Sequence, residues 1–301
     1  MRRFLPLLLL FLLIAPTSAG AIVPKGKGGV FAVDCQRTER KPLDPIAMPG
    51  MPGMSHSHDF FGPVSVPNSA KATDLLSGPN SCGLAQDHSA YWMPTLYSSM
   101  GLQEGDNLQI YYRLDNGAVA IPKGLQMIAG DAARLGATNP AWSSYSCQPS
   151  SSYNKTKPPS CPRSGWILTE IDFPQCWNGK QLDSPNHKSH TAYSGSGKNY
   201  NSLGCPKTHT VRIAQVVMFR NFNQYAGLLQ GVTLASGPAS TLHADFVSGW
   251  DAGVFNNLIA NCAAKDCGHI KQMPANYRPG PVLKTVKVRH SFFCRHQHKL
   301  A

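Results

Sequence analysis

The stretch LQIYYRL (108–114) puts Leu108, Ile110, Tyr112 and Leu114 on one parity and Gln109, Tyr111 and Arg113 on the other. A period of two is the signature of a strand with one face in a core. A helix would scatter the same apolar positions around its circumference. Three further stretches alternate in this way: VAIPKGLQMIAG (119–130), TVRIAQVVMFRNF (210–222) and PVLKTVKVRHSFF (281–293). Val, Ile, Tyr and Phe dominate them, as suits a pleated, half-buried surface. The 24 prolines and 27 glycines are spread along the chain, which favours short strands and turns over long helices. Only FVSGWDAGVFNNLIANCAA (246–264) spaces Val254, Leu258, Ile259 and Cys262 as a helix does, with Asp251 placed to cap it. The expected fold is mainly β: packed antiparallel sheets, sandwich or jelly-roll-like, with long loops and one peripheral helix.

Outside that body, the first residues read as an export signal. Arg2 and Arg3 precede an apolar run from Phe4 to Ile14, followed by small residues suited to cleavage near Ala21. The run is short for a membrane span, which needs roughly 20 apolar residues. The expected organisation is a signal peptide (1–21), a single β-rich domain (22–267) and a basic C-terminal extension (268–301). No transmembrane anchor is expected after cleavage, and the expected location is extracellular, or periplasmic in a Gram-negative host. Nine cysteines fit an oxidising compartment, and an odd number leaves at least one thiol free or shared with another chain. The pairing is not legible from spacing. Cys262 and Cys267 form a local candidate, and Cys147 and Cys161 bracket a Ser/Pro/Lys-rich loop. The net charge of +12 favours an anionic partner such as an acidic glycan. Without a long basic block or a nucleic-acid motif, no nucleic-acid partner is expected.

Chemistry-bearing residues fall into four groups. His56 and His58, in SHSHDFFG, are two apart and share a face if extended, a common beginning for a metal site, whereas Asp59 would point elsewhere. LDSPNHKSHTAY (182–193) holds Asp183, His187, His190 and Tyr193. A helical turn there would put both histidines on one face, and Asp183 could orient an imidazole. His243 and Asp245, in LHADF, again have same-face spacing. His209 stands at the mouth of a strand with Arg212 nearby as an anion donor. Trp92, Trp250 and Tyr193 are aromatics suited to sugar rings, although core filling is the commoner use of a tryptophan. His296 and His298, in the terminal tail, are set aside as adventitious.

The ordered motifs PLDPIAMPGMPGMSHSHDFFG, SAYWMPTLY, GLQMIAGD, DFPQCWNGKQLDSPNHKSHTAY, CPKTHTVRIAQ and LHADFVSGWD resemble the family called domain of unknown function number nineteen ninety-six, found in bacteria and fungi. The resemblance runs from about Asp34 to Cys262 and stops short of the region after Cys267. It implies that the four histidine groups belong together in one cleft. The function then expected is action on extracellular or cell-wall polysaccharide, by hydrolysis or β-elimination. His187, His190, Asp183, His209, His243, Asp245 and Tyr193 would be the catalytic candidates, with Trp92, Arg212 and Trp250 for substrate. His56 and His58 are the metal candidates, and one divalent metal ion is the candidate cofactor. The alternatives are a non-catalytic glycan-binding module and a metal-binding extracellular module.

Overall fold

The structure is a computed structural model and describes residues 28–136, 141–148, 152–154, 158–159, 161, 166–222 and 231–273. Among these residues the chain is mainly β, with two large sheets, two small ones and one α-helix. The larger sheet has seven strands in the order Ser152–Asn154, Ser143–Gln148, Trp166–Asp172, Gln215–Phe222, Leu108–Leu114, Gly29–Cys35, Asp266–His269. All its pairings are antiparallel except the last, which is parallel. The five-stranded sheet is antiparallel throughout, in the order Arg37–Lys41, His58–Phe61, Ala90–Pro94, His243–Val247, Gln126–Gly130.

Parity decides what lies between the sheets. Leu108, Ile110, Tyr112 and Leu114 are fully buried, whereas Gln109, Tyr111 and Arg113 are not. From the five-stranded sheet, Phe61, Tyr91, Met93, Phe246 and Met127 join the same core. The helix Ala252–Cys262 closes one end: the Asp251 carboxylate accepts the amides of Gly253 and Val254, satisfying two otherwise orphan donors. Its Phe255 packs on Phe31, Tyr112 and Trp250.

The opposite face of the five-stranded sheet is covered too. The long connection after Lys41 lays Leu43, Ile46, Val66, Ala70, Ala72 and Leu75 over it, against Phe60, Ala90, Trp92 and Val247. The central strands Ala90–Pro94 and His243–Val247 are therefore buried on both faces. Polar residues on that outer face are sealed under a loop instead of meeting bulk water, and the candidate site forms there.

Several expected elements are shorter than their sequence patterns. In 119–130 only Gln126–Gly130 is a strand, because Pro122 begins a turn closed by the Leu125 amide on the Pro122 carbonyl. In 210–222 the pairing changes sheets at Ile213–Ala214: Val211–Arg212 joins a small sheet and Gln215–Phe222 the large one. The helix starts at Ala252 because His243–Val247 is claimed by the sheet. The strand Asp266–His269 crosses the expected domain boundary at 267. The alternating stretch 281–293 and the leader lie outside the described residues. Four disulfides join Cys35 to Cys82, Cys147 to Cys161, Cys176 to Cys205 and Cys262 to Cys267. Cys294, the ninth cysteine, also lies outside. No helix of the described residues is long and apolar enough to cross a membrane.

Candidate functional site

Register brings the histidines together. His58 lies on the strand beside Ala90–Pro94, and His243 and Asp245 lie on the strand at its other side. Because paired residues share a face, His58, Trp92 and Asp245 all point outward, and His243 joins them two positions from Asp245. His56, just ahead of its strand, turns its ring back over them. The Nε2 atom of His243 is 3.0 Å from that of His56 and 3.2 Å from that of His58. The contact between His58 and His243 joins residues 185 apart in sequence.

The imidazoles are fixed from behind. Nδ1 of His58 donates to the Leu43 carbonyl at 2.9 Å, and Nδ1 of His243 donates to the Thr241 carbonyl at 2.8 Å. Burial, reinforced by the neighbouring imidazoles, pushes both rings down to about 3. They are therefore neutral at ordinary pH, each with a bare Nε2. His56, half-buried, is lowered by burial as well.

Two carboxylates complete the group. Asp245 is fully buried, and neither of its oxygens has a hydrogen-bond partner among the described residues. Burial, and then the nearby Asp44 charge, push its pKa well above the usual carboxylate range. Asp44 lies in the covering loop, where one of its oxygens accepts the amides of Ile46 and Ala47. Donor atoms of Asp44, His58 and Asp245 lie within 4.8 Å of one another, and so do those of His56, His58 and His243. His58 belongs to both triads. The triad of three imidazoles is a donor set that can hold a divalent cation, and the two carboxylates adjoin it at His58.

The stretch 182–193 runs beside this cluster. It forms two successive turns and no helix, because His187 adopts φ +56°, a left-handed conformation that breaks the expected shared face of His187 and His190. The two histidines therefore have different environments. Nδ1 of His187 meets both Asp183 oxygens, at 3.0 and 2.9 Å, and that hydrogen bond raises its pKa against the opposing effect of burial. The Asp44 charge raises it further, so the ring is within electrostatic reach of the cluster. Its Nε2 has no hydrogen-bond partner among the described residues. His190 is fully buried with both nitrogens engaged, by the Ser184 hydroxyl and the Gln126 carbonyl. It holds the turn onto the sheet edge. Lys188 donates its ammonium to the Gly130 carbonyl at 2.8 Å and acts electrostatically on Asp245.

A cavity of about 190 Å³ lies between the edge strand Gln126–Gly130 and the 182–193 turns, lined by Ile128 and Gly130, the strand partners of Asp245 and His243, and by Pro174, Lys188 and Tyr193 among others. Gly130 pairs with His243 and has φ +79°; a β-carbon there would lie 2.2 Å from the Leu242 carbonyl oxygen. The glycine permits the close approach that positions His243. Tyr193 spends its hydroxyl on the Asp172 carbonyl and stacks its ring on that of Trp142, with centroids 5.0 Å apart.

The remaining candidates lie elsewhere. Trp92 is buried in the outer core against Phe60. Trp250 is buried in the inner core, donating to the Tyr112 hydroxyl. The aromatic surface beside the cavity is that of Trp142 and Tyr193. Arg212 is buried under the small sheet, bonded to the Leu203 carbonyl and Asp115. His209 is half-buried, and its Nε2 meets the Ser189 carbonyl, so it buttresses the 182–193 turns from outside. Sequence reasoning passed over Asp44, Lys188 and Gly130. The only signal for Asp44 was a lone acid between apolar neighbours in PLDPIAM.

Fold and site together define the class: a β-sandwich protein with a buried histidine–aspartate cluster on the outer face of one sheet. The chain belongs to the family described as Domain of unknown function (DUF1996), whose profile matches residues 44–250. That span begins at Asp44 and contains every member of the cluster and the 182–193 turns. No curated protein and no solved structure matches the chain.

Proposed function

We propose that the chain is an exported enzyme that cleaves an extracellular or cell-wall polysaccharide, by hydrolysis or β-elimination, in the cleft between the histidine–aspartate cluster and the 182–193 turns. One observation carries the reading. His58, His243, Asp245 and Asp44 meet on one sheet face, within electrostatic reach of His187 and Lys188. Buried titratable groups that lack protein partners, as Asp245 does, are characteristic of functional sites.

In this reading His187 moves the proton. Asp183 holds its Nδ1 and leaves Nε2 available, and the raised pKa keeps the ring protonated toward neutrality, as a donor to a leaving oxygen requires. The Lys188 ammonium supplies positive charge at the cavity wall, where a uronate carboxylate would be held. The chain's net charge of +12 draws acidic glycans toward it. Tyr193 contributes a ring face, its hydroxyl being committed to backbone. The four disulfides and the leader pattern support export.

The test is depolymerisation of uronic-acid polymers and of neutral wall glucans, read by new reducing ends and by the absorbance of unsaturated ends. Product formation abolished in His187→Ala, in a folded protein, is the expected result. Full activity in that variant removes the turns from the mechanism, and no product from any polymer removes the enzymatic reading. The second reading, a glycan-binding module, is favoured by the stacked Trp142–Tyr193 pair at the cavity. It predicts retention on insoluble wall polymer that is lost in Tyr193→Ala, without product.

A further inference from the structure

We infer that the outer face of the five-stranded sheet is a transition-metal site, with His56, His58 and His243 as nitrogen ligands and with Asp245 and Asp44 grouped at His58 beside them. The first argument is tautomeric. A carbonyl oxygen only accepts, so the contacts to Leu43 and Thr241 require the proton of each ring on Nδ1. A neutral imidazole carries one N–H, so His58 and His243 direct bare Nε2 lone pairs at each other across 3.2 Å. Facing lone pairs repel, and a shared cation turns that repulsion into coordination. Metal–nitrogen bonds of about 2.0–2.1 Å place neighbouring ligand nitrogens about 2.8–3.4 Å apart, from octahedral to tetrahedral geometry. The two observed separations, 3.0 and 3.2 Å, lie inside that interval. Backbone carbonyls behind metal-binding imidazoles commonly fix the ring in this way.

Asp245 is a second, independent pointer. It is completely buried, and both its oxygens lack a hydrogen-bond partner among the described residues. A buried carboxylate is sustained by a hydrogen bond, a cationic partner or a metal. One of its oxygens lies within 4.8 Å of donor atoms of His58 and of Asp44, the second carboxylate of the group. Asp44 has committed one oxygen to two backbone amides, which leaves the other for an outer role.

The donor chemistry selects the ion. Three imidazoles with carboxylate oxygen suit zinc, copper, manganese or ferrous iron, whereas calcium and magnesium prefer oxygen alone. A second grouping, Cys35, Cys82 and Asp87, offers no thiolate because its cysteines are bonded to each other. His58 and His243 are buried, whereas His56 is half-exposed, so the entry path runs past His56. The site shares the cleft with the proposed glycan cleavage but stands apart from it. Metal bound without cleavage leaves this inference intact and removes the other.

The experiment uses the full chain without a histidine tag, stripped by chelator and titrated with Zn²⁺ and with Co²⁺. Elemental analysis reads the stoichiometry, and cobalt absorption bands report nitrogen and oxygen ligation. The expected result is about one equivalent, with affinity about 10–100-fold weaker in His56→Ala and lost in His243→Ala. His269→Ala, a surface histidine remote from the sheet face, binds as the parent does. Because His56 is half-exposed, its variant keeps the test readable if the buried His243 variant does not fold. Parent protein that takes up neither ion at about 100 µM, or His56→Ala that binds as the parent does, overturns the inference.

Discussion

His58 and Asp59 are adjacent on one strand, yet they serve opposite faces of the five-stranded sheet and opposite ends. On the inner face, Asp59 is closed into an ion cluster. It meets the fully buried guanidinium of Arg220 at 2.6 Å and also pairs with Arg40, which reaches Glu104 at 2.7 Å. The Arg220 guanidinium further packs on Phe61 and Phe222, about 5 Å from each ring. Nearby, Asp87, Tyr91, Tyr112 and Trp250 form a hydrogen-bonded chain through the core. On the outer face, His58, His243 and Asp245 are just as buried, but the two imidazole Nε2 atoms face each other and neither Asp245 oxygen has a hydrogen-bond partner among the described residues. Burial does not separate structure from chemistry here. What separates them is ion pairing: the Asp59 carboxylate has Arg220 and Arg40 as cationic partners, whereas Asp245 has no hydrogen-bond or salt-bridge partner among the described residues.

The largest expected effect tests that contrast directly. Asp59→Leu strands the Arg220 guanidinium and is expected to cost about 3–5 kcal/mol of unfolding free energy. Asp245→Leu, in metal-free protein, is expected to change stability by less than about 1 kcal/mol or to raise it, because no protein partner is abandoned. Urea midpoints measure both, and equal losses would erase the distinction between the faces.

A comparably large effect concerns the two histidines of the 182–193 turns. His187→Ala is expected to lower turnover about 10²–10⁴-fold at near-parental stability. His190→Ala leaves the Gln126 carbonyl unpaired and is expected to cost about 1–3 kcal/mol of stability. Turnover and thermal melts recorded on the same preparations separate these outcomes, and a reversed pattern would exchange the assigned roles.

Smaller again is Gly130→Ala. It places a β-carbon against the Leu242 carbonyl at a positive φ and is expected to cost about 1–3 kcal/mol. Because Gly130 pairs with His243, the histidine ring resonances should shift in the NMR spectrum while those of the inner core do not. Unmoved histidine signals would show that the glycine matters to the sheet alone.

The smallest effect is the pH dependence of the Asp183–His187 pair. His187 has a raised pKa in the folded protein, so its stabilisation is fully present below the unfolded value near 6.5 and is lost as pH rises through the folded value. The pair is partly exposed, and its contribution is expected to be about 0.2–1 kcal/mol. Unfolding midpoints taken from pH 5 to 9 should show this loss in the parent and not in Asp183→Asn.

Local pattern was readable where one segment alone decides the outcome. Parity in LQIYYRL matches the observed strand Leu108–Leu114, and Asp251 caps the helix as its position suggested. The two-apart spacing of His243 and Asp245 does put them on one face. Elsewhere, local pattern misled. Pro122 broke one apparent strand, and the left-handed backbone of His187 parted two histidines that helical spacing would have aligned. Which tryptophans face outward was also illegible, since burial of Trp92 and Trp250 depends on segments far away in the chain.

By itself, the sequence determined the mainly β character, the helix with its cap, and a supply of histidines and acids in same-face pairs. These follow from periodicity and capping, which act over a few residues. Only the tertiary structure decided that His56, His58 and His243 converge, that Asp44 and Asp245 meet at His58, and that both nitrogens of His190 are tied down while Nε2 of His187 is left open. Those outcomes depend on strand order and on the loop that folds over the sheet. The pairings involved span nearly two hundred residues, and no local rule ranks one such pairing above another.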